Sequence, residues 1–276
     1  MTFLAVAQTR VPEDPADAGA IRAAGRRIRA LMRDAAADGA RFVQFPEGAL
    51  VYPSKHVVCA RDGELGEADW SGVRWDVLAE EKELIRETAV ELSVWTGFGT
   101  IHATGEARPA NAFHVFSPDG VEVGRYEKRV LSYTEATYMY RAGEAPLVFE
   151  AEGLRFGVVL CVEANFPELI AEYETLGVDC VLLSVMVDDA PRARIAETYG
   201  ILYNMWIGYS VPAQFSATVP SGVVAPGGGW IARATTDGRD GYALAALDTG
   251  TENARFQREL VRPWRRSVRA RLAAGS

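Results

Sequence analysis

Cysteine and histidine are scarce in this chain of 276 residues, which has only three of each. The cysteines Cys59, Cys161 and Cys180 are odd in number and have no paired spacing. We therefore expect no disulfide framework. The histidines are scattered and form no metal-ligand motif, so no metal site is predicted.

The chain also lacks long apolar runs and an excess of positive charge. No stretch of about 18 apolar residues is present, and the opening Met-Thr-Phe-Leu-Ala-Val-Ala-Gln has no basic region of the kind that begins a secretory signal. The net charge of −8 opposes general affinity for nucleic acid or for an anionic membrane. A hydrophobic fraction of 49% and a charged fraction of 24% are ordinary for a globular protein. We expect a cytoplasmic protein without a nucleic-acid or membrane partner.

Strand and helix patterns alternate along the whole chain. Apolar residues at helical spacing predict helices over 16–37, 77–92, 166–176 and 192–206. Short apolar or alternating runs predict strands over 4–8, 41–45, 94–101, 111–116, 121–126, 154–160, 179–185, 207–211, 221–225, 230–234 and 242–247. No repeat or linker interrupts this order. We predict one α/β domain over 1–276, with about 251–276 as a C-terminal tail.

Cys161 stands where the predicted strand 154–160 meets the predicted helix 166–176. A cysteine at such a corner faces the carboxyl edge of a sheet and lies near the positive end of a helix. Most free cysteines are small core residues, as we expect of Cys180, whereas the sequence leaves open whether Cys59 is exposed and oxidisable. The corner favours a reactive thiolate at Cys161.

Two further charged residues occupy equivalent corners. Glu47 follows the strand 41–45, and Lys128 follows the strand 121–126. A thiol that attacks a carbonyl or nitrile carbon needs a base and an oxyanion stabiliser. The carboxylate of Glu47 can act as the base and the ammonium of Lys128 as the oxyanion stabiliser, so no histidine is needed.

Several short motifs along the chain, taken together in their order and spacing, resemble those of the nitrilase superfamily of carbon–nitrogen hydrolases. The resemblance spans nearly the whole chain and rests on Leu4–Gln8, Phe45-Pro-Glu47-Gly, Tyr126-Glu-Lys128-Arg, Tyr133-Thr-Glu135, Ala142-Gly143, the run from Cys161 to Glu168, and Ser221-Gly-Val-Val-Ala-Pro-Gly-Gly. It implies a four-layer α-β-β-α sandwich and a catalytic triad of Glu47, Lys128 and Cys161. Glu135 matches the second glutamate often found beside that triad.

The residues around the cysteine indicate the reaction. The run Cys161-Val-Glu-Ala-Asn-Phe-Pro-Glu168 resembles the amidase-type pattern, whereas true nitrilases usually have Trp-Glu-Asn where this chain has Val162-Glu163-Ala164. We therefore expect hydrolysis of an amide through a cysteine thioester, without a cofactor. A nitrile or an N-carbamoyl compound remains an alternative on the same triad.

Position beside the triad predicts the substrate-binding residues, which are Tyr52, Tyr133, Val162, Asn165 and Met186. The backbone N–H of Val162 is expected to assist Lys128 at the oxyanion, and Arg192 or Arg194 to hold a carboxylate if the substrate has one. The irregular segment 52–76 is expected to border the site. Seven arginines between Arg255 and Arg271 surround Trp264 in the tail. By resemblance, this tail is expected to pack on a partner subunit of a homodimer or larger homo-oligomer.

The sequence also leaves open functions that belong to other classes of protein. His114 precedes Cys161 by 47 residues, a separation reminiscent of caspase-type Cys–His peptidases. A non-catalytic assembly module and an acyltransferase with an acceptor other than water are the remaining alternatives. Asp188 and Asp189 could be metal ligands, but acids just before a helix are usually caps.

Overall fold

The structure, a computed structural model, describes residues 1–61 and 64–274. Residues 62–63 of the segment 52–76 and residues 275–276 of the tail lie outside this description. The described strands, in chain order, are β1 (Thr2–Gln8), β2 (Phe42–Gln44), β3 (Ala60–Arg61), β4 (Glu64–Leu65), β5 (Trp95–His102), β6 (Ala110–Phe116), β7 (Glu122–Glu127), β8 (Val148–Ala151), β9 (Leu154–Leu160), β10 (Cys180–Ser184), β11 (Trp206–Ser210), β12 (Gly222–Val224), β13 (Trp230–Arg233) and β14 (Gly241–Leu247).

The described helices are α1 (Ala18–Ala37), α2 (Lys55–Val58), α3 (Trp75–Leu92), α4 (Pro167–Thr175), α5 (Ala190–Tyr203), α6 (Glu252–Phe256) and α7 (Arg262–Ala274). A π-helical turn, Gln257–Val261, joins the last two. Asp17 caps the first helix, where its Oδ1 accepts the Ala20 N–H at 2.9 Å. None of the described helices combines the length and the apolar character needed to cross a membrane.

Two mixed six-stranded sheets form the centre of the molecule. Sheet 1 has the order β14-β1-β2-β5-β6-β7, and sheet 2 has the order β13-β12-β11-β10-β9-β8. The apolar core is divided into three layers, one between α1, α3 and sheet 1, one between the two sheets, and one between sheet 2, α4 and α5. The α-β-β-α sandwich predicted from the resemblance is confirmed.

One predicted helix ends too late. The helix predicted over 192–206 ends at Tyr203, because Asn204 adopts a left-handed conformation with φ 50°. Trp206 then begins β11 and is buried between the sheets. The apolar residues at helical spacing that predicted this helix include Leu202, but Leu202 is 46% exposed and does not belong to the buried face.

Polar side chains hold the two sheets in a fixed relation. Gln44 of β2 is fully buried, and its Nε2 donates to Gly208 O at 2.9 Å and to Ser184 Oγ at 3.1 Å in sheet 2. Ser184 Oγ donates in turn to Phe45 O at 2.8 Å. A Cβ on Gly208 would lie 2.1 Å from Gln44 Oε1, so the approach requires glycine there. These contacts place the end of β2 directly on sheet 2.

Arginines dock the C-terminal tail on its own chain. Arg262, which is 4% exposed, donates to Asp179 Oδ1 at 2.7 Å, and Arg258 donates to the same oxygen at 3.0 Å. Arg265 and Arg269 pair with the buried carboxylate of Glu174 at 2.8 and 2.9 Å. Exposed apolar side chains remain on the outside of the tail, namely Phe256, Leu260, Trp264 and Leu272. Packing on a partner subunit stays a prediction.

We expect Asp179→Ala to lower the free energy of unfolding by about 3 kcal/mol or more, because it leaves the buried Arg262 guanidinium without its counter-charge. Urea unfolding followed by circular dichroism measures the change. Glu91→Ala is the control, since it removes an exposed pair with Arg33 and should cause no measurable loss. Equal stability of the two variants would show that the tail is not held by this ion pair.

Candidate active site

Glu47 is placed by a tight turn at the end of β2. Phe45 N donates to Gly97 O at 2.8 Å and Leu50 N donates to Gly99 O at 3.2 Å, so the loop follows β5. A Cβ on Gly99 would lie 2.4 Å from the Gly48 nitrogen, so only glycine permits this close approach. The Glu47 side chain is fully buried as a result.

Lys128 lies between two carboxylates. Its Nζ donates to Glu47 Oε1 at 2.8 Å and to the two Glu135 oxygens at 2.9 and 3.0 Å. All three side chains are buried. Glu135 begins a π-helical turn and also accepts the Ser132 N–H at 2.8 Å, which fixes its orientation. Hydrogen bonds therefore connect three of the four residues that the sequence assigned to the chemistry.

Asn111 belongs to this site and was missed by the sequence reasoning. Its Nδ2 donates to Glu47 Oε1 at 2.8 Å, and its backbone oxygen accepts the Lys128 N–H at 2.8 Å. The available signal was a polar amide near the start of the apolar strand β6. Both bonds to Glu47 reach Oε1, whereas Glu47 Oε2 is buried without a partner among residues 1–61 and 64–274. One carboxylate oxygen is thus held and the other is free to accept a proton.

Cys161 stands at a sharp corner between β9 and a short 3-10 helix, Cys161–Asn165. Its φ of 48° lies in the left-handed region, which is strained for any residue with a Cβ. Such strain at a strand-to-helix corner is typical of functional residues. Glu47 and Lys128 extend from sheet 1 and Cys161 from sheet 2, and the charges of the first two act on the pKa of Cys161, so both sheets contribute to one site.

The charges of this site are set by burial and by the buried ammonium. Burial raises the pKa of Glu47, and Lys128 only partly offsets this. For Glu135 the hydrogen bonds and charge of Lys128 outweigh burial, so its pKa is lowered. Burial alone would lower the pKa of Lys128, but the two carboxylates raise it well above its usual value. Lys128 is therefore an ammonium, and Glu47 is the more basic of the two carboxylates.

Burial opposes the thiolate form that the strand-to-helix corner of Cys161 favours. Burial, with the negative charge of Glu47, raises the pKa of Cys161 to about 12. Lys128 and a hydrogen bond from the Met186 backbone lower it by less. Desolvation therefore outweighs the positive end of the nearby helix, and Cys161 needs a base to become a nucleophile.

Glu163 links the loops of the two sheets. Its Oε1 accepts from the Tyr126 hydroxyl at 2.8 Å and from the backbone N–H groups of Arg129 and Val130 at 2.7 and 3.0 Å. Its Oε2 accepts the Leu160 N–H at 2.7 Å. The carboxylate thus joins the residues beside Lys128 to the residue before Cys161. The sequence placed this acid only within the motif and gave no signal for its partners.

The predicted substrate-binding residues divide between two cavities. Tyr52 and Met186 line a cavity of about 260 Å³ together with Glu135. Asn165 and Cys161 line a narrow cavity, in which the space open to the centre of a water molecule is about 10 Å³. Tyr133 is 80% exposed and Val162 is half-buried, and neither contributes to these two linings. Their roles stay predictions.

The segment 52–76 borders the larger cavity at its beginning. Residues 52–56 line that cavity, and α2 begins within them. Cys59, which follows α2, is fully buried, so its exposure is now settled. Cys180 is buried in sheet 2, as predicted.

His114 lies apart from the cysteine. Its Nδ1 is 2.6 Å from Glu122 Oε1, and its ring stacks on Phe98 and lines a separate cavity with residues of α3. The Cys–His peptidase alternative therefore has no geometric support. Within the described parts of the chain, no group of three or more His, Cys, Asp or Glu side chains is arranged to hold a metal ion.

A family model described as carbon–nitrogen hydrolase matches residues 4–256. The chain therefore belongs to the carbon–nitrogen hydrolase family, as the resemblance predicted, and the protein is a carbon–nitrogen hydrolase. No curated protein matches the sequence.

Solved structures of the amidase from Nesterenkonia sp. AN1 are similar to this chain. A variant to whose active-site cysteine acrylamide has added is 16% identical, covers 96% of this chain and 100% of its own, and has a TM-score of 0.74. A variant in complex with butyramide is 15% identical, covers 89% of this chain and 90% of its own, and has a TM-score of 0.73. A variant carrying the acetamide moiety of fluoroacetamide on its active-site cysteine is 16% identical, covers 95% of this chain and 97% of its own, and has a TM-score of 0.73. At sequence identities of 15 and 16%, this similarity shows that the chain shares the fold of these structures.

We expect Glu163→Gln to lower both stability and activity, because an amide nitrogen in place of Oε2 faces the Leu160 N–H without accepting it. A loss of about 1–3 kcal/mol in the free energy of unfolding is expected, measured by urea unfolding. Glu172→Gln is the matched control, since the Glu172 side chain is 38% exposed and a glutamine oxygen can still accept from Arg129. Wild-type stability and activity of Glu163→Gln would contradict a linking role.

We expect the modification of Cys161 by methyl methanethiosulfonate to accelerate about tenfold per pH unit between about pH 7 and 9. The reason is that only the thiolate reacts, and its fraction rises in proportion to hydroxide while the pH is below the raised pKa. Mass spectrometry of samples quenched at successive times gives the rate. Cys161→Ala is the control and should remain unmodified, because Cys59 and Cys180 are buried. A rate independent of pH would mean that the thiol is already ionised.

Proposed function

We propose that this protein hydrolyses a small amide to a carboxylic acid and ammonia through a thioester at Cys161. The observation that carries the proposal is the buried trio of Glu47, Lys128 and Glu135, with Glu47 Oε2 left without a partner in the described chain, at the same sheet edges as the strained cysteine. The trio provides a base and a fixed positive charge, which thiol attack on an amide requires.

The first half-reaction forms the thioester. Glu47 takes the proton from the Cys161 thiol as sulfur attacks the carbonyl carbon, and the negative charge develops on the carbonyl oxygen. Lys128 stabilises this oxyanion, with the Val162 N–H as the expected second donor. Its three N–H groups allow this, because the two bonds to Glu135 can share one of them. Glu47 then returns the proton to nitrogen, the C–N bond breaks and ammonia leaves.

The second half-reaction releases the acid. Glu47 takes a proton from a water molecule, whose oxygen attacks the thioester carbon. The C–S bond breaks and the proton returns to sulfur, so the sum is amide plus water to acid plus ammonia. Glu135 remains ionised because Lys128 lowers its pKa, and it holds Lys128 in place throughout. Such acid–base catalysis contributes about 10²- to 10⁴-fold.

The narrow cavity supports a small substrate. With about 10 Å³ open beside Cys161, there is room for about one atom the size of a water oxygen in the resting enzyme. The similar amidase structures hold butyramide or have reacted with acrylamide or fluoroacetamide, which are all short amides. Hydrolysis of a nitrile or an N-carbamoyl compound is tested with the same assay.

Two predictions from the sequence accompany the proposal. A cytoplasmic location follows from the composition, and a homodimer follows from the family resemblance. The exposed apolar side chains on the tail, among them Leu260 and Trp264, support a contact with a second subunit.

We expect ammonia release from short amides to be abolished in Cys161→Ala and reduced by at least about 10²-fold in Lys128→Met. A panel of amides, N-carbamoyl compounds and nitriles, assayed for ammonia, identifies the substrate class. Circular dichroism controls for folding of Lys128→Met, since this change leaves two carboxylates facing each other. Release that survives Cys161→Ala would contradict the mechanism.

A further inference from the structure

The hydroxyl of Tyr209 is buried beside the nucleophile without a partner. Tyr209 is 1% exposed, and its oxygen makes no hydrogen bond with any described residue. It lines the same narrow cavity as Cys161. The mechanism proposed above does not use it.

The position of Tyr209 follows from the alternation of β11. Trp206 and Gly208 face the other sheet, whereas Ile207 and Tyr209 face the helical layer of α4 and α5. The Tyr209 ring packs edge-on against Trp230 at 6.1 Å, and Leu183 lies beside it in the neighbouring strand. The ring is therefore fixed by strand register and packing, and the hydroxyl has little freedom to seek another partner.

The remaining lining of the narrow cavity is mostly apolar. It includes Leu183, Val185, Val187 and Ile195, together with the exposed amide of Asn165 and the stem of Arg192. A phenol buried in such surroundings without a hydrogen bond carries the cost of losing water. Other tyrosines of this layer avoid that cost, since the Tyr199 and Tyr203 hydroxyls donate to Ala164 O and Pro167 O.

Charges around the cavity indicate which kind of group would pair with Tyr209. Burial, Cys161 and Asp189 raise the pKa of Tyr209 and only Arg192 lowers it, so the phenol stays protonated and can donate. Arg192 is already paired with Asp189 at 3.1 Å. The opposite charges of Arg192 and Asp189 offset each other, so a carboxylate in this cavity would lose its water without gaining a net attraction. A neutral group fits better than the carboxylate considered from the sequence.

We propose that Tyr209 binds a neutral oxygen on the acyl chain of the substrate, so that short hydroxyacyl or oxoacyl amides are preferred over the corresponding alkyl amides. This inference rests on the proposed amide hydrolysis at Cys161. The small volume of the cavity admits one oxygen atom of the acyl chain. A site built to hydrogen-bond such an oxygen rejects an analogue that lacks it, because the buried hydroxyl then stays unpaired.

Two matched pairs of amides test the proposal. Lactamide is compared with propionamide, and 3-hydroxybutyramide with butyramide, by kcat/KM for ammonia release. We expect the wild type to prefer the hydroxyamide by about tenfold or more in at least one pair. In Tyr209→Phe this preference should disappear through slower turnover of the hydroxyamide, while the alkyl amide is hydrolysed at least as fast as before.

Tyr203→Phe is the matched control, because it removes a hydroxyl of the same layer that already has a partner outside the cavity. It should keep the wild-type preference. Equal kcat/KM within both pairs for the wild type would overturn the inference even if Tyr209→Phe did not fold. A loss of equal size for both members of a pair in Tyr209→Phe would also overturn it, since that is the effect of a general catalytic or structural role.

A failure of the proposed amide hydrolysis would give a different experimental result from a failure of the inference about Tyr209. If no amide releases ammonia in a manner that depends on Cys161, the amidase proposal falls and the inference about Tyr209 falls with it. If alkyl amides are hydrolysed by the wild type with no preference for an oxygen-bearing chain, the amidase proposal stands and the inference alone is removed.

Discussion

The active site depends on one buried ammonium group. Lys128 is 1% exposed, and an unpaired ammonium at that depth would cost several kcal/mol or more. Its partners Glu47 and Glu135 are 81 and 7 residues away in sequence. Folding must therefore bring both loops to Lys128 before its charge can be buried. The same pairing occupies only one oxygen of Glu47 and keeps Glu135 ionised, so a requirement for stability also sets the charges of the candidate site.

The cysteine is supplied by the other sheet, so the site depends on how the two sheets are aligned. Gln44 and Ser184 set this alignment beneath Glu47, and Glu163 sets it between the loops that carry Lys128 and Cys161. Each contact joins a side chain of one sheet or loop to the backbone or side chain of another. A small shift between the sheets would break several buried hydrogen bonds at once, which are expensive to lose. This cost keeps the base and the nucleophile in register.

Periodicity predicted most strands and helices, because apolar alternation and helical stripes are local properties. The proposed triad could be picked out in the sequence because each member lies at or shortly after the end of a strand, and because the motifs resemble one family. Asn111 and the linking role of Glu163 were missed, since Glu47 is distant from Asn111 in sequence and Tyr126, Arg129 and Val130 are distant from Glu163. The end of α5 was misplaced because Asn204 turns left-handed while the apolar pattern continues to Trp206. The burial that raises the pKa of Cys161 could not be predicted, because desolvation depends on tertiary packing, which sequence spacing does not reveal.

The raised pKa of the Cys161 thiol affects how readily oxidants inactivate the enzyme. Peroxides attack thiolates, and a cysteine with a lowered pKa is readily converted to sulfenic acid and beyond. Because Cys161 stays protonated while the site is empty, hydrogen peroxide meets a poor nucleophile. In the proposed mechanism, sulfur loses its proton only when Glu47 and a bound carbonyl act together. The burial that slows the free thiol thus also protects it from irreversible damage between turnovers.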